Sequence, residues 1–127
     1  MIPMAETPEN TKKPKYLSGI DAALDVIGGK WRALILYELV DGTRRYSQIL
    51  KGMERYKITQ RMLTKELREL EANNFITRTV YPEVPPRVEY TLTEKGMSIM
   101  PILDQLCLWG CRYMPGELDH VCDECGE

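Results

Sequence analysis

The chain has 127 residues, 43% of them hydrophobic and 28% charged, with a formal net charge of −2; this fits one globular domain with its own apolar core and indicates neither a disordered nor a membrane protein. No run approaches the roughly 18 uninterrupted apolar residues of a membrane span, and residues 1–16 hold three prolines and three lysines in place of an apolar signal core. The expected location is therefore the cytoplasm with no membrane partner, where the four cysteines are expected as thiols or metal ligands in preference to disulfides.

Residues 1–17 read as a flexible arm, because Pro3, Pro8 and Pro14 interrupt any helix and little there is apolar. A single domain is expected over residues 18–114, followed by an acidic, cysteine-containing tail over 115–127. The spacing of Ile20, Ala23, Leu24 and Ile27 predicts a first helix with one apolar face, stopped by Gly28-Gly29. A second helix follows on the stripe Trp31, Leu34, Ile35 and Leu39, and Asp41-Gly42 is expected to end it. Ser47 is read as the cap of a short third helix carrying Ile49, Leu50 and Met53.

Thr59 is suited to cap a fourth helix, in which Leu63, Leu67 and Leu70 recur at i, i+4 and i+7 and fix one side to the core. Asn73-Asn74 suits the left-handed residue that terminates such a helix. From Phe75 to Tyr81 the period changes to two, which predicts a strand, and Arg87 to Leu92 reads as its partner. Pro82-Glu83-Val84-Pro85-Pro86 cannot continue a ladder, so it forms the protruding tip of a hairpin.

Thr93 is read as the cap of one last helix running to about Met114, bent at Pro101. It carries two apolar stripes: Ile99, Ile102, Leu106, Trp109 and Tyr113, and beside them Met100, Leu103, Cys107, Cys111 and Met114. An apolar arc that wide has two surfaces to bury, and a second copy of the chain is the economical second partner. Met100, Leu103, Leu106, Cys107, Trp109 and Tyr113 are accordingly the expected dimer interface. The fold class is thus mainly α with a small β-hairpin wing: a winged helix-turn-helix with a C-terminal dimerisation helix.

The net charge conceals an uneven distribution. Residues 44–95 contain eleven Lys and Arg against seven Asp and Glu, whereas 115–127 hold five acids and no Lys or Arg, so the middle of the chain is the part suited to meet phosphate.

The runs Leu24-Asp25-Val26-Ile27-Gly28-Gly29-Lys30-Trp31, Arg61-Met62-Leu63-Thr64 and Leu67-Arg68-Glu69-Leu70-Glu71, with the proline-rich run from Tyr81 to Tyr90 and Leu92-Thr93 with Gly96, resemble the HxlR-type regulators, also called DUF24, relatives of the MarR group. The resemblance covers about residues 20–114, and the wing run is its most specific part. It implies a dimeric winged-helix transcription factor without enzyme activity. Where thiol-sensing members of that group carry a cysteine shortly before the Leu-Asp-Val-Ile-Gly-Gly run, this chain has Ser18, which removes the N-terminal thiol the resemblance would imply.

On this reading double-stranded DNA is the partner and the fourth helix is its reader, because Gln60, Arg61, Thr64, Lys65 and Arg68 lie together opposite the leucines. Arg61 or Lys65 suits guanine O6 and N7, Gln60 suits adenine, and the Thr64 methyl suits thymine. Arg78 and Arg87 of the hairpin are placed to approach the minor groove or backbone, with pairing of Arg87 to Glu83 or Glu89 as the alternative. Lys30, Arg44, Arg45 and Ser47 stand at helix starts, where backbone N–H groups also favour phosphate. Gly28-Gly29-Lys30 does not make a nucleotide-binding loop: Trp31 stands where Ser or Thr is needed.

Cys122-x-x-Cys125, His120 and the pair Cys107 and Cys111 leave three alternatives open: a zinc site, a reversible thiol switch, or inert packing. No cofactor is required by the DNA-binding reading. Two rival functions are a protein-interaction module built on the winged domain and a thiol oxidoreductase acting through the CxxC pair; the latter lacks an acid–base constellation, and its CxxC lies past the fold instead of at a helix start.

Overall fold

A computed structural model describes residues 13–119. Six helices and three strands follow in the order α1 (Gly19–Ile27), α2 (Lys30–Glu38), β1 (Arg44–Arg45), α3 (Tyr46–Gly52), α4 (Gln60–Ala72), β2 (Ile76–Tyr81), β3 (Arg87–Leu92), α5 (Glu94–Ser98) and α6 (Met100–Tyr113). Single 3-10 turns cover Glu54–Tyr56 and Pro115–Glu117. The strands form one antiparallel sheet in the order β1-β3-β2. This is the winged helix-turn-helix that the element order predicted, and none of its described helices is long and apolar enough to cross a membrane.

Helix α1 starts where the Ser18 side chain accepts the Asp21 N–H at 3.0 Å, so Ser18 is a working N-cap. The chain is already held at Tyr16 and Leu17, through hydrogen bonds to the carboxylates of Asp25 and Asp21. The predicted arm therefore gives way to bonded structure before residue 18; its first twelve residues lie outside those described. The apolar face expected of α1 is turned the other way in part: Val26 and Ile27 pack on the core, whereas Ile20 and Leu24 are 73% and 56% exposed.

The core is built on α2 and α4. Ile35, Leu36 and Leu39 meet Ile49 and Met53 of α3 and Leu63, Leu67 and Leu70 of α4, all essentially without solvent contact. Trp31 packs partly buried against this cluster, as an anchor and not as part of a nucleotide loop. Helix α2 ends at Glu38 with Leu39 as its C-cap, before the expected Asp41-Gly42; Gly42 instead supplies a backbone at φ +136, open to glycine. Helix α3 begins two residues earlier than a Ser47 cap implied. Arg45 is its N-cap residue, and the Arg45 N–H donates to the Gln48 side chain at 2.8 Å.

The strand β1 has no counterpart in the sequence reading. Arg44 lies opposite Tyr90 and Arg45 opposite Glu89, while on the other edge of β3 Arg78 also lies opposite Tyr90. Phe75, expected in the strand, is instead a buried residue just before it, and its carbonyl accepts the Thr93 N–H at 3.0 Å.

The C-terminal part is two helices and not one bent helix. Thr93 caps α5, as expected, by accepting the Gly96 N–H at 3.0 Å. The helix breaks at Ile99, and Pro101 falls in the first turn of α6, where a missing N–H costs no hydrogen bond. Gly96 packs against the chain just before β2: a Cβ there would collide with the Phe75 carbonyl oxygen and press on Leu92. Because the obstacle is backbone, Gly96→Ala is expected to destabilise the domain by about 1–3 kcal/mol. Thermal unfolding checks this, and an unchanged midpoint would mean that α5 shifts freely away from the sheet.

Candidate nucleic-acid interface

Helix α4 owes its position to the leucine stripe and its start to Thr59, whose side chain accepts the Met62 N–H at 3.1 Å. It ends as the sequence implied, with Asn74 at φ 65. Opposite the buried leucines, Gln60, Arg61, Lys65 and Arg68 are exposed and form one continuous polar surface with Thr64. Four of the five predicted reading residues thus have their side chains in solvent.

Thr64 is half-buried, and its hydroxyl lies 3.2 Å from that of Tyr46, which also donates to the Gln60 carbonyl at 3.1 Å. Tyr46 therefore ties the start of α3 to the first turn of α4 and holds Thr64 in one orientation. Arg44, Arg45 and Ser47 flank this residue in sequence: Arg44 and Arg45 form β1 against β3, and Ser47 lies inside α3, not as its cap. Lys30 stands at the start of α2 with its ammonium 5.0 Å above the Trp31 ring, and among the described residues no contact links it to the exposed face of α4.

Arg78 is exposed on β2 and shares a cleft with Tyr46, Arg68 and Tyr90, which extends the cationic surface from α4 onto the wing. Arg87 behaves differently. Its guanidinium lies 3.1 Å from Glu83 and 3.3 Å from Glu89, with its carbon 3.9 Å from the Tyr81 ring centre, the pairing that stood as the alternative to DNA contact. It braces the base of the wing, whose tip presents the fully exposed Val84.

Beneath the exposed face of α4 lies a polar linkage that sequence inspection missed. Glu66 is buried on the inner side of α4 and accepts from Arg32 Nε of α2 at 2.8 Å. Arg32 also donates to the Asp25 carbonyl of α1 at 3.2 Å and lies 3.9 Å from Glu69. The hydrogen bond to Glu66 is the main cause that holds the Arg32 guanidinium above its ordinary pKa. A partner 34 residues away leaves no local signal; the only hint was a Glu interrupting the inner face of an amphipathic helix.

On α6 the two predicted stripes separate. Met100 and Leu103 are buried in the chain's own core, so they face inward and not toward a second copy. Ile102, Leu106, Trp109 and Tyr113 are 50%, 50%, 56% and 65% exposed, and the Trp109 and Tyr113 rings lie 5.5 Å apart. Cys107 is half-buried and Cys111 buried. His120, Cys122 and Cys125 lie outside the described residues.

Residues 26–118 match the model of the HxlR-like helix-turn-helix family. A helix-turn-helix transcriptional regulator of Methanothermobacter thermautotrophicus is 58% identical over 99 residues, which are 78% of this chain and 74% of the relative. The regulator YtcD of Bacillus subtilis is 50% identical over 103 residues, covering 81% of this chain and 80% of YtcD; a crystal structure of YtcD superposes with a TM-score of 0.71 at 49% identity, over 77% of this chain and 98% of that one. The redox regulator HypR in its reduced form gives the same TM-score, 0.71, at 44% identity, over 80% of this chain and all of HypR.

Proposed function

This chain belongs to the HxlR-like helix-turn-helix family and is a helix-turn-helix transcriptional regulator, not an enzyme; from that premise we propose that it binds a specific, near-palindromic duplex site as a homodimer. Helix α4 of each copy enters one of two successive major-groove segments, as docked helix-turn-helix dimers do. The observation that carries this reading is the surface of α4: Gln60, Arg61, Lys65 and Arg68 in solvent, on a helix whose opposite side is locked by Leu63, Leu67 and Leu70. A rigid inner face with a free cationic outer face suits a helix that must hold its side chains at fixed positions against base edges. Arg78 and the residues around Tyr46 supply backbone contacts, and Arg87 acts mainly by stiffening the wing.

The homodimer is supported by the apolar surface left on each protomer. The exposed stripe of α6 from Ile102 to Tyr113 carries two aromatic residues, and Leu17, Ile20 and Leu24 add exposed apolar surface on and just before α1. Surface of this kind marks an association site, and twofold pairing repeats it on both copies.

Two groups of substitutions test the assignment. Arg61→Ala or Lys65→Ala is expected to relax preference at particular bases by about 1–3 kcal/mol while leaving non-specific binding nearly unchanged. Arg44→Ala or Lys30→Ala is expected to weaken all sequences alike and to lower the salt slope by about one charge. Fluorescence anisotropy with operator and random duplexes across a salt series reads both quantities. Indistinguishable behaviour of the two groups would refute these roles.

A further inference from the structure

Tyr46 stands at the start of α3 and packs partly buried against the core. Its hydroxyl lies 3.1 Å from the Gln60 carbonyl oxygen and 3.2 Å from the Thr64 hydroxyl. A phenol carries one proton, and a carbonyl oxygen can only accept. The Tyr46 proton therefore goes to Gln60, and the second contact closes in the opposite direction, with the Thr64 hydroxyl donating to the Tyr46 oxygen. Thr64 also has a single hydroxyl proton, and it is spent inside the protein. The Thr64 oxygen is left with lone pairs alone to offer to the surface that it shares with Gln60, Arg61, Lys65 and Arg68. Arginine and lysine side chains only donate, so Thr64 is an acceptor set among donors.

Resting on the assignment of α4 to the major groove, we propose that Tyr46 is a positioning residue that determines base specificity. By taking the Thr64 proton it makes Thr64 a reader of exocyclic amines, adenine N6 or cytosine N4, and sets it against guanine and thymine as hydrogen-bond partners. Phosphate oxygens only accept, so a Thr64 hydroxyl in this state has no proton for the DNA backbone, and its partner is a base edge. In the major groove the N–H donors on base edges are the adenine N6 and cytosine N4 amines, whereas guanine O6 and N7 and thymine O4 are acceptors. Facing one of those acceptors, the Thr64 oxygen meets a second lone pair with no proton between them. A threonine free to turn its hydroxyl serves donors and acceptors alike. The Tyr46 hydroxyl removes that freedom from a residue 18 positions away in sequence.

The test uses the full-length protein and a pool of randomised duplexes, selected in parallel by the parent, Y46F and T64V and read by sequencing, with fluorescence anisotropy on the enriched duplexes. In the motif that the parent selects, one position is expected to hold adenine or cytosine, and guanine or thymine there is expected to weaken binding about tenfold. Y46F keeps the ring and returns the proton to Thr64; it is expected to admit all four bases at that position while leaving the other positions and the salt slope as they are. T64V keeps the shape of Thr64 and removes its oxygen, so it is expected to lose the amine preference at the same position, and adding Y46F to T64V is expected to change base preference no further. T64V identifies the position by itself, which keeps the proposal falsifiable if circular dichroism shows Y46F unfolded. Guanine or thymine selected by the parent at the position that T64V relaxes overturns the proposal. So does a folded Y46F whose motif matches the parent's, or one that relaxes a position T64V leaves untouched. A parent that enriches no sequence would fail at an earlier step: it would remove the specific duplex site itself, and this proposal with it.

Discussion

Leu106→Glu is expected to convert the proposed homodimer into monomers and to lower its affinity for the proposed duplex site. Leu106 is half-exposed at the centre of the α6 stripe, so in a single protomer a glutamate there extends into water and leaves the core untouched. In a twofold pair the same change places two carboxylates in one apolar contact without partners. An unpaired buried charge costs several kcal/mol, which at about 1.4 kcal/mol per factor of ten weakens association by a thousandfold or more. A monomer retains one reading helix, and the gain from engaging two half-sites together is lost. Sedimentation across a concentration series reads the oligomeric state, and circular dichroism confirms that the protomer is intact. A dimer that survives the substitution would place the interface elsewhere.

Leu63→Ala is expected to cost about 2–5 kcal/mol, the range for removing a fully buried leucine. Leu63 has no exposed surface and is the first of the three leucines that seat α4. Against a typical total of about 5–15 kcal/mol for a domain, the loss should lower the unfolding midpoint by roughly 10 °C or more. Arg61→Ala makes the informative contrast: Arg61 lies on the outer face of the same helix, and its removal should spare the midpoint while changing base preference. Calorimetry and binding measured on both variants separate seating from reading. Equal midpoints for Leu63→Ala and the parent would show that α4 does not depend on its inner face.

Features of the fold with a local physical cause were legible in the sequence. The leucine spacing of α4, its Thr59 cap and its Asn74 stop all appear where expected, and prolines that cannot enter a ladder marked the wing tip. The exposure of the outer face of α4 followed directly, because polar residues opposite a fixed apolar stripe must be outside. The strand β1 was invisible because two residues are too short to show a period. At the α5–α6 junction Pro101 was noticed, but proline marks a bend and a helix start alike, and only packing decides between them. The broad apolar arc of α6 likewise hid that Met100 and Leu103 turn inward. Tyr46 and the Arg32–Glu66 pair act across distances in sequence that no periodicity records.

That pair and the contacts at the other end of α2 make this helix a strut. Arg32 near its start grips α4 through Glu66 and α1 through the Asp25 carbonyl, while Tyr37 near its end donates to Asp104 of α6 at 3.0 Å. Hydrogen bonds at such distances tolerate little stretching, so the three helices around α2 are geared to it. In the proposed homodimer, a change in the angle at which two copies of α6 cross would turn α2 and swing α4 as a lever, altering the span between the two copies of α4. The length of that lever is fixed by the fold, whereas its grip depends on one guanidinium. Loosening Arg32 would therefore leave each reading surface chemically complete yet poorly aimed.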